Sequence, residues 1–249
     1  MATFEPPVFN KPHIEHCFKR VRALFGGAFV IDTTKAKLVW EHKFYPQYYF
    51  PNSELPAQFL DDGSKLVPTE GVTKFDVVVG EKRAPGAIIV YGDLIGERAG
   101  LFKVKFDSMD MWYEEDERLF YHPKDPYKRV DVLQSSRHVR VEIDGIEMAN
   151  TQKPRLLFET GLHVRTYIPQ TDCKVGLLVP SDHHTECPYK GVANYYHVQT
   201  PNKLAENIVW WYQNPNLECA SINGFLSFYD EHVDVWIDGE KQTRPKTVS

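Results

Sequence analysis

The segment 181–191 concentrates groups that can ligate a metal, donate a proton or attack an electrophile. Its sequence, Ser-Asp-His-His-Thr-Glu-Cys-Pro-Tyr-Lys-Gly, places two histidines, a thiol, an ammonium group and a hydroxyl within eleven residues. A thiol becomes a nucleophile when a nearby cation or histidine lowers its pKa. Because Lys190, His183 and His184 neighbour Cys187 in the chain, the segment predicts a site for nucleophilic or acid–base chemistry.

Side-chain alternation decides which of these residues share a face, if the segment is extended. His183, Thr185 and Cys187 then point to one side, and His184 points to the other. His183 and Cys187 are candidates for a catalytic base and nucleophile, with Thr185 as a ligand-binding residue beside them. A hydrogen-bonded turn histidine and a buried, unreactive cysteine are the structural alternatives.

The lysine at the end of the segment is a candidate for holding a carboxylate or phosphate. Gly191 would let the backbone approach a ligand closely, and the Lys190 ammonium would supply the charge. A solvated lysine at a strand start is the alternative. Five aromatic residues lie in or near the segment in the chain: Tyr189, Tyr195, Trp210, Trp211 and Tyr212. They form either the wall of a pocket or the core of a small barrel. In the first case Tyr189 and Trp210 are ligand-binding candidates.

Further candidates lie on strands outside the segment. Arg165 lies on the same side of its predicted strand as His163 and Tyr167, so it could bind an anion with two hydrogen bonds, or form a surface ion pair.

Glu206 precedes an apolar and aromatic strand, where burial would raise its pKa and suit it to act as a general base. The chain lacks CxxC and HxxxH spacing, and we predict no metal and no cofactor.

An internal duplication organises the chain. A shift of 118 positions takes Arg20-Val21-Arg22 to His138-Val139-Arg140, and the match runs without a gap for about 35 residues, as a true repeat would. At this shift the pairs are Gly27 and Gly145, Thr33 and Thr151, Leu38 and Leu156, Glu41 and Glu159, Tyr49 and Tyr167, Pro51 and Pro169, and Glu54 and Asp172. Near the ends of the copies, Met-Trp-Tyr-Glu at 111–114 resembles Ser-Phe-Tyr-Asp at 227–230.

The repeat predicts two domains of about 110 residues each. We place an N-terminal arm at 1–17, a first domain at 18–126, a second domain with the segment at 127–241, and a tail at 242–249. The joint should lie near residues 122–126, because a proline-containing, charged stretch is typical of an exposed connection.

The local patterns are those of strands. Val139, Val141 and Ile143 alternate with polar residues, and Asp144-Gly145 then supplies the positive φ angles of a tight hairpin turn. Gly26-Gly27 repeats this turn in the first copy. The sequence therefore predicts a mostly β protein with one short helix at 216–222. We expect two repeated small antiparallel β-barrel or folded-sheet domains, packed as a pseudo-dimer.

Composition narrows the function classes. A net charge of −5 argues against sequence-independent binding of nucleic acid, and no apolar run approaches the roughly 18 residues of a membrane span. Residues 1–11 are proline-rich without the apolar core of a secretion signal. The four cysteines are widely spaced, so we expect reduced thiols and a cytoplasmic location, with a pairing of Cys173 and Cys187 as the open alternative.

The second copy resembles a known family. The pattern Ser-Asp-His-x-Thr-x-Cys-Pro-Tyr-Lys-Gly stands between Tyr-Ile-Pro at 167–169 and Trp-Trp-Tyr at 210–212. These motifs are similar to a widespread bacterial and fungal family described as a domain of unknown function and nicknamed the ninth nucleotidyltransferase-like group. The first copy has Val-Pro-Thr-Glu-Gly at 67–71 instead, without histidine or cysteine.

The resemblance implies a small β-rich domain and, through the nickname, nucleotidyl transfer. The chain has no GxxxxGK[ST] loop, and the segment offers only Asp182 with Glu186 as a carboxylate pair for Mg²⁺. We therefore do not adopt the nickname as the function.

Three functions stay open from the sequence. The chain could be an enzyme acting on a small anionic or aromatic metabolite in a pocket of the second domain, with His183, Cys187, Lys190 and Glu206 as catalytic residues. It could instead bind a small molecule without chemistry, or the motif could be a folding signature of a structural or interaction domain. We expect a small-molecule partner, no nucleic acid and no membrane.

Overall fold

The computed structural model describes residues 12–42, 44–61, 71–93 and 95–246. In these ranges the chain divides into two compact units between Asp125 and Pro126. The proline-rich start at 1–11 and the stretch 67–70, which stands in the first copy where the second has its motif, lie outside the described residues. None of the helices in these ranges has the length and apolar character that crossing a membrane requires.

The N-terminal unit contains two antiparallel sheets. Its strands in the described ranges are β1 (His13–His16), β2 (Val21–Phe25), β3 (Ala28–Thr33), β4 (Lys37–Trp40), β5 (Gln47–Pro51), β6 (Leu60–Asp61), β7 (Val72–Val79), β8 (Lys82–Tyr91), β9 (Leu101–Val104), β10 (Met111–Glu114) and β11 (Glu117–Leu119). The large sheet has the order β1-β4-β5-β9-β8-β7-β6, and the small sheet has the order β11-β10-β2-β3. Short 3-10 helices lie at Asn52–Glu54, Ala57–Phe59, Gly96–Arg98 and Phe106–Ser108.

The C-terminal unit is built in the same way. Its strands are β12 (Val130–Gln134), β13 (Val139–Ile143), β14 (Ile146–Thr151), β15 (Arg155–Glu159), β16 (Arg165–Pro169), β17 (Leu178–Cys187), β18 (Gly191–Gln199), β19 (Leu204–Tyr212), β20 (Phe225–Phe228), β21 (Asp234–Ile237) and β22 (Glu240–Lys241). The large sheet has the order β12-β15-β16-β20-β19-β18-β17, and the small sheet β14-β13-β21-β22. Its 3-10 helices are Gln170–Asp172, Val175–Leu177 and Leu217–Ile222.

The two units repeat one strand order, strand for strand. This confirms the predicted pair of repeated, mostly β, antiparallel domains. In the described ranges the sheets stay open and do not close into barrels, so the folded-sheet form of the prediction is the correct one. The predicted short helix at 216–222 is also present, as the 3-10 helix Leu217–Ile222.

The large sheet of the C-terminal unit uses its two faces differently, because side chains alternate along each strand. On one face Ile168, Val209 and Leu226 pack against Val141 and Met148 of the small sheet in a buried apolar core. On the other face the alternate residues of these strands form an aromatic cluster covered in part by the 3-10 helix Leu217–Ile222. Its strand residues include Leu157, Tyr167, Tyr195, Trp210 and Tyr212.

Several matches of the repeat have a structural cause. The Thr33 hydroxyl donates to Glu54 at 2.7 Å, and the Thr151 hydroxyl donates to Asp172 at 2.6 Å. Each threonine oxygen also accepts the backbone N–H two residues later. The hydrogen bond ties the end of β3 or β14 to the 3-10 helix after β5 or β16, so both copies retain these residue types.

The hairpin turns predicted from glycine are confirmed. Gly26 and Gly27 have φ angles of 58° and 83°, and Asp144 and Gly145 have angles of 52° and 77°. This left-handed conformation costs a glycine nothing sterically. The turns therefore fix the pairing of β2 with β3 and of β13 with β14.

The predicted match between 111–114 and 227–230 is wrong. Strand β10 pairs with β2 as β21 pairs with β13, so the counterpart of β10 is β21. Phe102 pairs with Phe50, and Leu226 pairs with Ile168. These partners make Phe102 and Leu226 equivalent, 124 positions apart. The offset is no longer 118 because the connections that precede β9 and β20 differ in length.

The expectation of an exposed joint at 122–126 is also wrong in part. Asp125 is buried, and its carboxylate accepts a hydrogen bond from Trp40 Nε1 at 3.1 Å. The end of the joint therefore belongs to the packed structure of the N-terminal unit.

We expect Thr151→Val to lower the free energy of unfolding by about 1–2 kcal/mol, because it leaves Oδ2 of Asp172 without its hydroxyl donor at almost unchanged volume, while Thr171 still donates to Oδ1. Urea unfolding of the variant measures this loss. Thr33→Val should give a similar loss, and Thr243→Val, at an exposed position of the tail, is the control. Equal stability of all three variants would contradict the structural role of the hydrogen bond.

Candidate ligand-binding site

A cavity of about 350 Å³ lies on the aromatic face of the large sheet in the C-terminal unit. Residues two apart on three strands line it, as the alternation requires. These are Leu157 and Glu159 on β15, Arg165 and Tyr167 on β16, and Trp210 and Tyr212 on β19. The remaining lining residues are Leu162, His163, Lys190, Tyr195, Tyr229 and Glu231.

One part of the cavity is built on a buried carboxylate. The Glu159 side chain is 5% exposed, Lys190 Nζ donates to its Oε2, and Lys128 Nζ lies 3.6 Å from its Oε1. Burial lowers the pKa of Lys190, but the charge of Glu159, its hydrogen bond to Lys190 and smaller contributions from neighbouring groups together outweigh burial, and the pKa is raised above its usual value. Lys190 is therefore a fixed ammonium group and not a base.

A second charged pair holds an arginine over aromatic rings. Arg165 donates to both oxygens of Glu231, at 2.8 and 2.6 Å. Its guanidinium carbon lies 5.4 Å from the ring centre of Trp210 and 5.8 Å from that of Tyr229. His163 Nε2 lies 3.5 Å from Glu231. The bidentate pair and the ring contacts fix the orientation of the guanidinium.

Two buried phenols line the cavity and differ in their hydrogen bonds. Tyr167 is fully buried, and its oxygen accepts a hydrogen bond from Trp210 Nε1 at 3.1 Å. Tyr212 is 3% exposed, and its hydroxyl has no hydrogen-bond partner among the residues that the structure describes. Burial raises the pKa of Tyr167 to about 12 and also raises that of Tyr212. Both phenols therefore stay protonated and can donate to a guest.

Four of the candidate catalytic and ligand-binding residues meet at this cavity, Lys190 as the ammonium group and Arg165, Tyr167 and Trp210 as ligand-binding candidates. Tyr195 and Tyr212, two of the aromatic residues considered for a pocket wall, line it as well. Arg165 already has a carboxylate partner in Glu231, so its guanidinium is engaged within the protein.

The segment 181–191 does not gather around this cavity as a unit. Most of it forms β17, an edge strand with an irregularity between Ser181 and His184. His183 and Thr185 are exposed, and both contact Tyr195: the rings of His183 and Tyr195 are 4.6 Å apart, and the hydroxyls of Thr185 and Tyr195 are 2.8 Å apart. They therefore support the wall residue Tyr195 from outside.

Three other predicted residues also lie away from the cavity lining. Cys187 is half-buried at the end of β17, opposite Gly191. Tyr189 is buried, with Lys128 Nζ 5.7 Å from its ring centre. Glu206 is exposed on β19, so the burial predicted for it is wrong. The strand begins outside the packed region, and burial starts only at Ile208.

Sequence reasoning missed both acids of the cavity. Glu159 carried a usable signal, because it matches Glu41 in the repeat and has the parity of the buried Leu157 on its strand. Glu231 follows β20 in a connection, where no periodicity marks it. Tyr229 precedes it and lies 4.6 Å from Trp210, ring centre to ring centre.

The four cysteines are free thiols, so the alternative pairing of Cys173 with Cys187 is not formed. The carboxylates considered for Mg²⁺, Asp182 and Glu186, are exposed on β17. Among the described residues, no three side chains of His, Cys, Asp or Glu converge as ligands of one metal ion would.

The N-terminal unit satisfies its equivalent carboxylate from its own side chains. Tyr49 donates to Glu41 at 2.6 Å, and the hydroxyls of Tyr49 and Tyr91 are 3.2 Å apart. Lys103 Nζ donates to Glu41 at 2.7 Å, and Arg98 donates at 3.2 Å. The carboxylate of the first copy thus accepts a hydrogen bond from a phenol, which in turn contacts a second phenol, whereas Glu159 is hydrogen-bonded to Lys190 in the second copy.

We expect Lys190→Met to lower the free energy of unfolding by about 3 kcal/mol, because it leaves Glu159 buried with only the more distant Lys128. Adding Glu159→Leu should restore much of the loss, since the buried charge is then gone. Lys203→Met is the control, because Lys203 and Asp144 form an exposed pair that contributes little. Urea unfolding compares the variants, and equal losses for Lys190→Met and Lys203→Met would contradict the burial argument.

The contribution of Asp230 to the stability of the fold depends on pH. Burial raises its pKa to about 6, and Arg165, 4.0 Å away, compensates only in part. The folded pKa is above the unfolded value, so the contribution of Asp230 to stability is complete below about pH 4 and is lost as the pH rises through about 6.

We therefore expect Asp230→Asn to be more stable than the natural protein at pH 7.5, by about 1–3 kcal/mol, and nearly equal to it at pH 4. Urea unfolding at the two pH values measures the difference. Asp182→Asn, at an exposed position of the same unit, should change stability at neither pH. A gain for Asp230→Asn that is the same at both pH values would show that the carboxylate does not titrate as argued.

Comparison with known proteins identifies the family. The model of NTP_transf_9, described as a domain of unknown function (DUF427), matches residues 13–115 and again residues 131–239. No curated protein matches the chain. One match falls in each structural unit, on the strands that the two units share. Because the two matches together cover most of its length, the chain belongs to the DUF427 family and carries its domain twice in tandem.

Proposed function

We propose that the C-terminal unit binds a small molecule, with an aromatic or otherwise planar body, in the cavity on its large sheet. The observation that carries this proposal is a cavity of about 350 Å³ with five aromatic side chains in its lining. Those side chains are Tyr167, Tyr195, Trp210, Tyr212 and Tyr229. Small-molecule sites have volumes of about 300–1,000 Å³, mostly apolar or aromatic walls and a few fixed polar groups.

The polar groups of this cavity are fixed before any ligand arrives. Glu231 holds Arg165 with two hydrogen bonds, and Lys190 is held by Glu159. Binding to such groups requires little loss of side-chain freedom, which favours affinity. The charges inside the cavity are paired, so the aromatic walls are expected to supply most of the binding energy, and the charged groups to orient the ligand.

Catalysis in the same cavity is the second candidate function. Its support is the Lys190–Glu159 pair next to the protonated phenol of Tyr212, a set of proton donors at the cavity wall. His183, Cys187 and Glu206 do not line the cavity. Of the predicted catalytic residues, only Lys190 could therefore take part in catalysis in this cavity. Mass spectrometry of a bound compound before and after incubation separates turnover from binding.

We expect Trp210→Ala to weaken the binding of neutral aromatic probes, such as indole and quinoline, by roughly tenfold or more, because it removes the largest wall of the cavity. Ligand-observed NMR titration of the full chain measures the affinities. Leu162→Trp, at the exposed edge of the cavity, should also weaken binding by occupying its space, and it leaves the core unchanged.

Three variants serve as controls for this experiment. Trp236→Ala removes a tryptophan that faces Arg140 on the small sheet, and Cys187→Ser and Glu206→Gln change residues outside the cavity lining. All three should bind the probes as the natural protein does. Binding that survives both Trp210→Ala and Leu162→Trp would remove the cavity as the ligand site.

A further inference from the structure

The phenols of the cavity have counterparts in the N-terminal unit that show what such a pair binds. Tyr167 corresponds to Tyr49 at the shift of 118. Val90 pairs with Phe102 as Trp211 pairs with Leu226, so the residues that follow, Tyr91 and Tyr212, are equivalent. In the N-terminal unit Tyr49 donates to the Glu41 carboxylate, and the Tyr91 hydroxyl is linked to it through Tyr49, 3.2 Å away.

In the C-terminal unit the equivalent carboxylate is not hydrogen-bonded to the phenols. Glu159 is bonded to Lys190, with Lys128 nearby, and neither Tyr167 nor Tyr212 shows a hydrogen bond to it. Tyr212 lines the cavity, the residue as a whole is 3% exposed, and its hydroxyl has no hydrogen-bond partner among the described residues. A donor at the cavity wall that the protein leaves unpaired is available to a guest that supplies an acceptor.

The charge at this end of the cavity has the sign that an acidic group requires. Lys190 and Lys128 bring two positive charges to the single negative charge of Glu159. The three side chains together therefore carry a net charge of +1, with Lys190 in the cavity lining and Lys128 outside it. At the other end Arg165 has both its terminal nitrogens on Glu231, so that end offers no free cation.

The copies also differ in the source of the cation. The residue after Phe102 is Lys103, whose ammonium group reaches Glu41, and the residue after the equivalent Leu226 is the buried Ser227. A serine supplies no cation at this strand position, and Glu159 is bonded to Lys190 from another part of the chain. The phenol pair is thus kept, while the counterpart of its carboxylate is bonded to a lysine.

We propose that Tyr167 and Tyr212, next to Lys190, form a subsite for a carboxylate group of the ligand, which takes the place that Glu41 has in the N-terminal unit. This rests on the proposed function, because it assumes that the cavity binds a small molecule. The ligand class is then an aromatic or planar carboxylic acid, with its acid group at the phenols and its body against Trp210.

The test compares acids with their amides, using benzoate with benzamide and 2-naphthoate with 2-naphthamide as probes. Dissociation constants come from ligand-observed NMR titration of the full chain at pH 7.5, where the acids are ionised and the phenols are not. We expect each acid to bind more tightly than its amide. Tyr212→Phe should weaken binding of the acids by roughly tenfold, the cost of losing a hydrogen bond to a charged group, and leave the amides within about twofold. Tyr91→Phe, the same change at the equivalent position of the N-terminal unit, is the matched control and should leave both classes unaffected.

Each result has a defined meaning. Acids and amides of equal affinity, or an acid preference that survives Tyr212→Phe, would overturn the carboxylate subsite and leave the small-molecule site intact. Failure of the acids to bind while the neutral probes do bind would overturn it as well. Failure of neutral probes to respond to Trp210→Ala and Leu162→Trp is a separate result and overturns the proposed function itself.

Discussion

A carboxylate withdrawn from solvent requires a cation beside it, and this requirement applies to the buried Glu159 and to the half-buried Glu41. Each copy places a glutamate at the same repeat position, Glu41 after β4 and Glu159 at the end of β15. The N-terminal unit neutralises it with Lys103 from β9, and the C-terminal unit with Lys190 from the turn between β17 and β18. Two units with the same strand order therefore neutralise equivalent glutamates with lysines from different parts of the fold.

The choice of cation decides what the aromatic face of each sheet can do. Where Tyr49 donates to Glu41, phenol and carboxylate satisfy each other within the protein. Where Lys190 holds Glu159, the phenol of Tyr212 is left facing a cavity. Duplication thus allows one copy to keep a closed hydrogen-bond network, while the other has donors directed at a guest.

The fold could be predicted largely from the sequence, because its signals are local. Alternation marks the strands, Gly26-Gly27 and Asp144-Gly145 mark hairpin turns, and the shift of 118 positions marks the repeat. These signals depend on a few neighbouring residues and on a constant offset. The comparison fails at 111–114, because loop lengths change the offset to 124 between Phe102 and Leu226, and only strand pairing reveals which strands are equivalent.

The candidate site was harder to predict, because the cavity is assembled by the order of strands in the sheet and not by nearness in the chain. The segment 181–191 is rich in reactive groups, but as an edge strand it exposes His183 and most of its neighbours to solvent. The stronger signal was an acidic residue that follows buried apolar strand residues in both copies, Glu41 after Trp40 and Glu159 after Leu157. Placing a carboxylate at the edge of a packed region is costly, and a sequence that does so twice must also provide its partners. In this chain the acidic residue shared by the two copies is therefore a better guide to the site than the local concentration of reactive side chains.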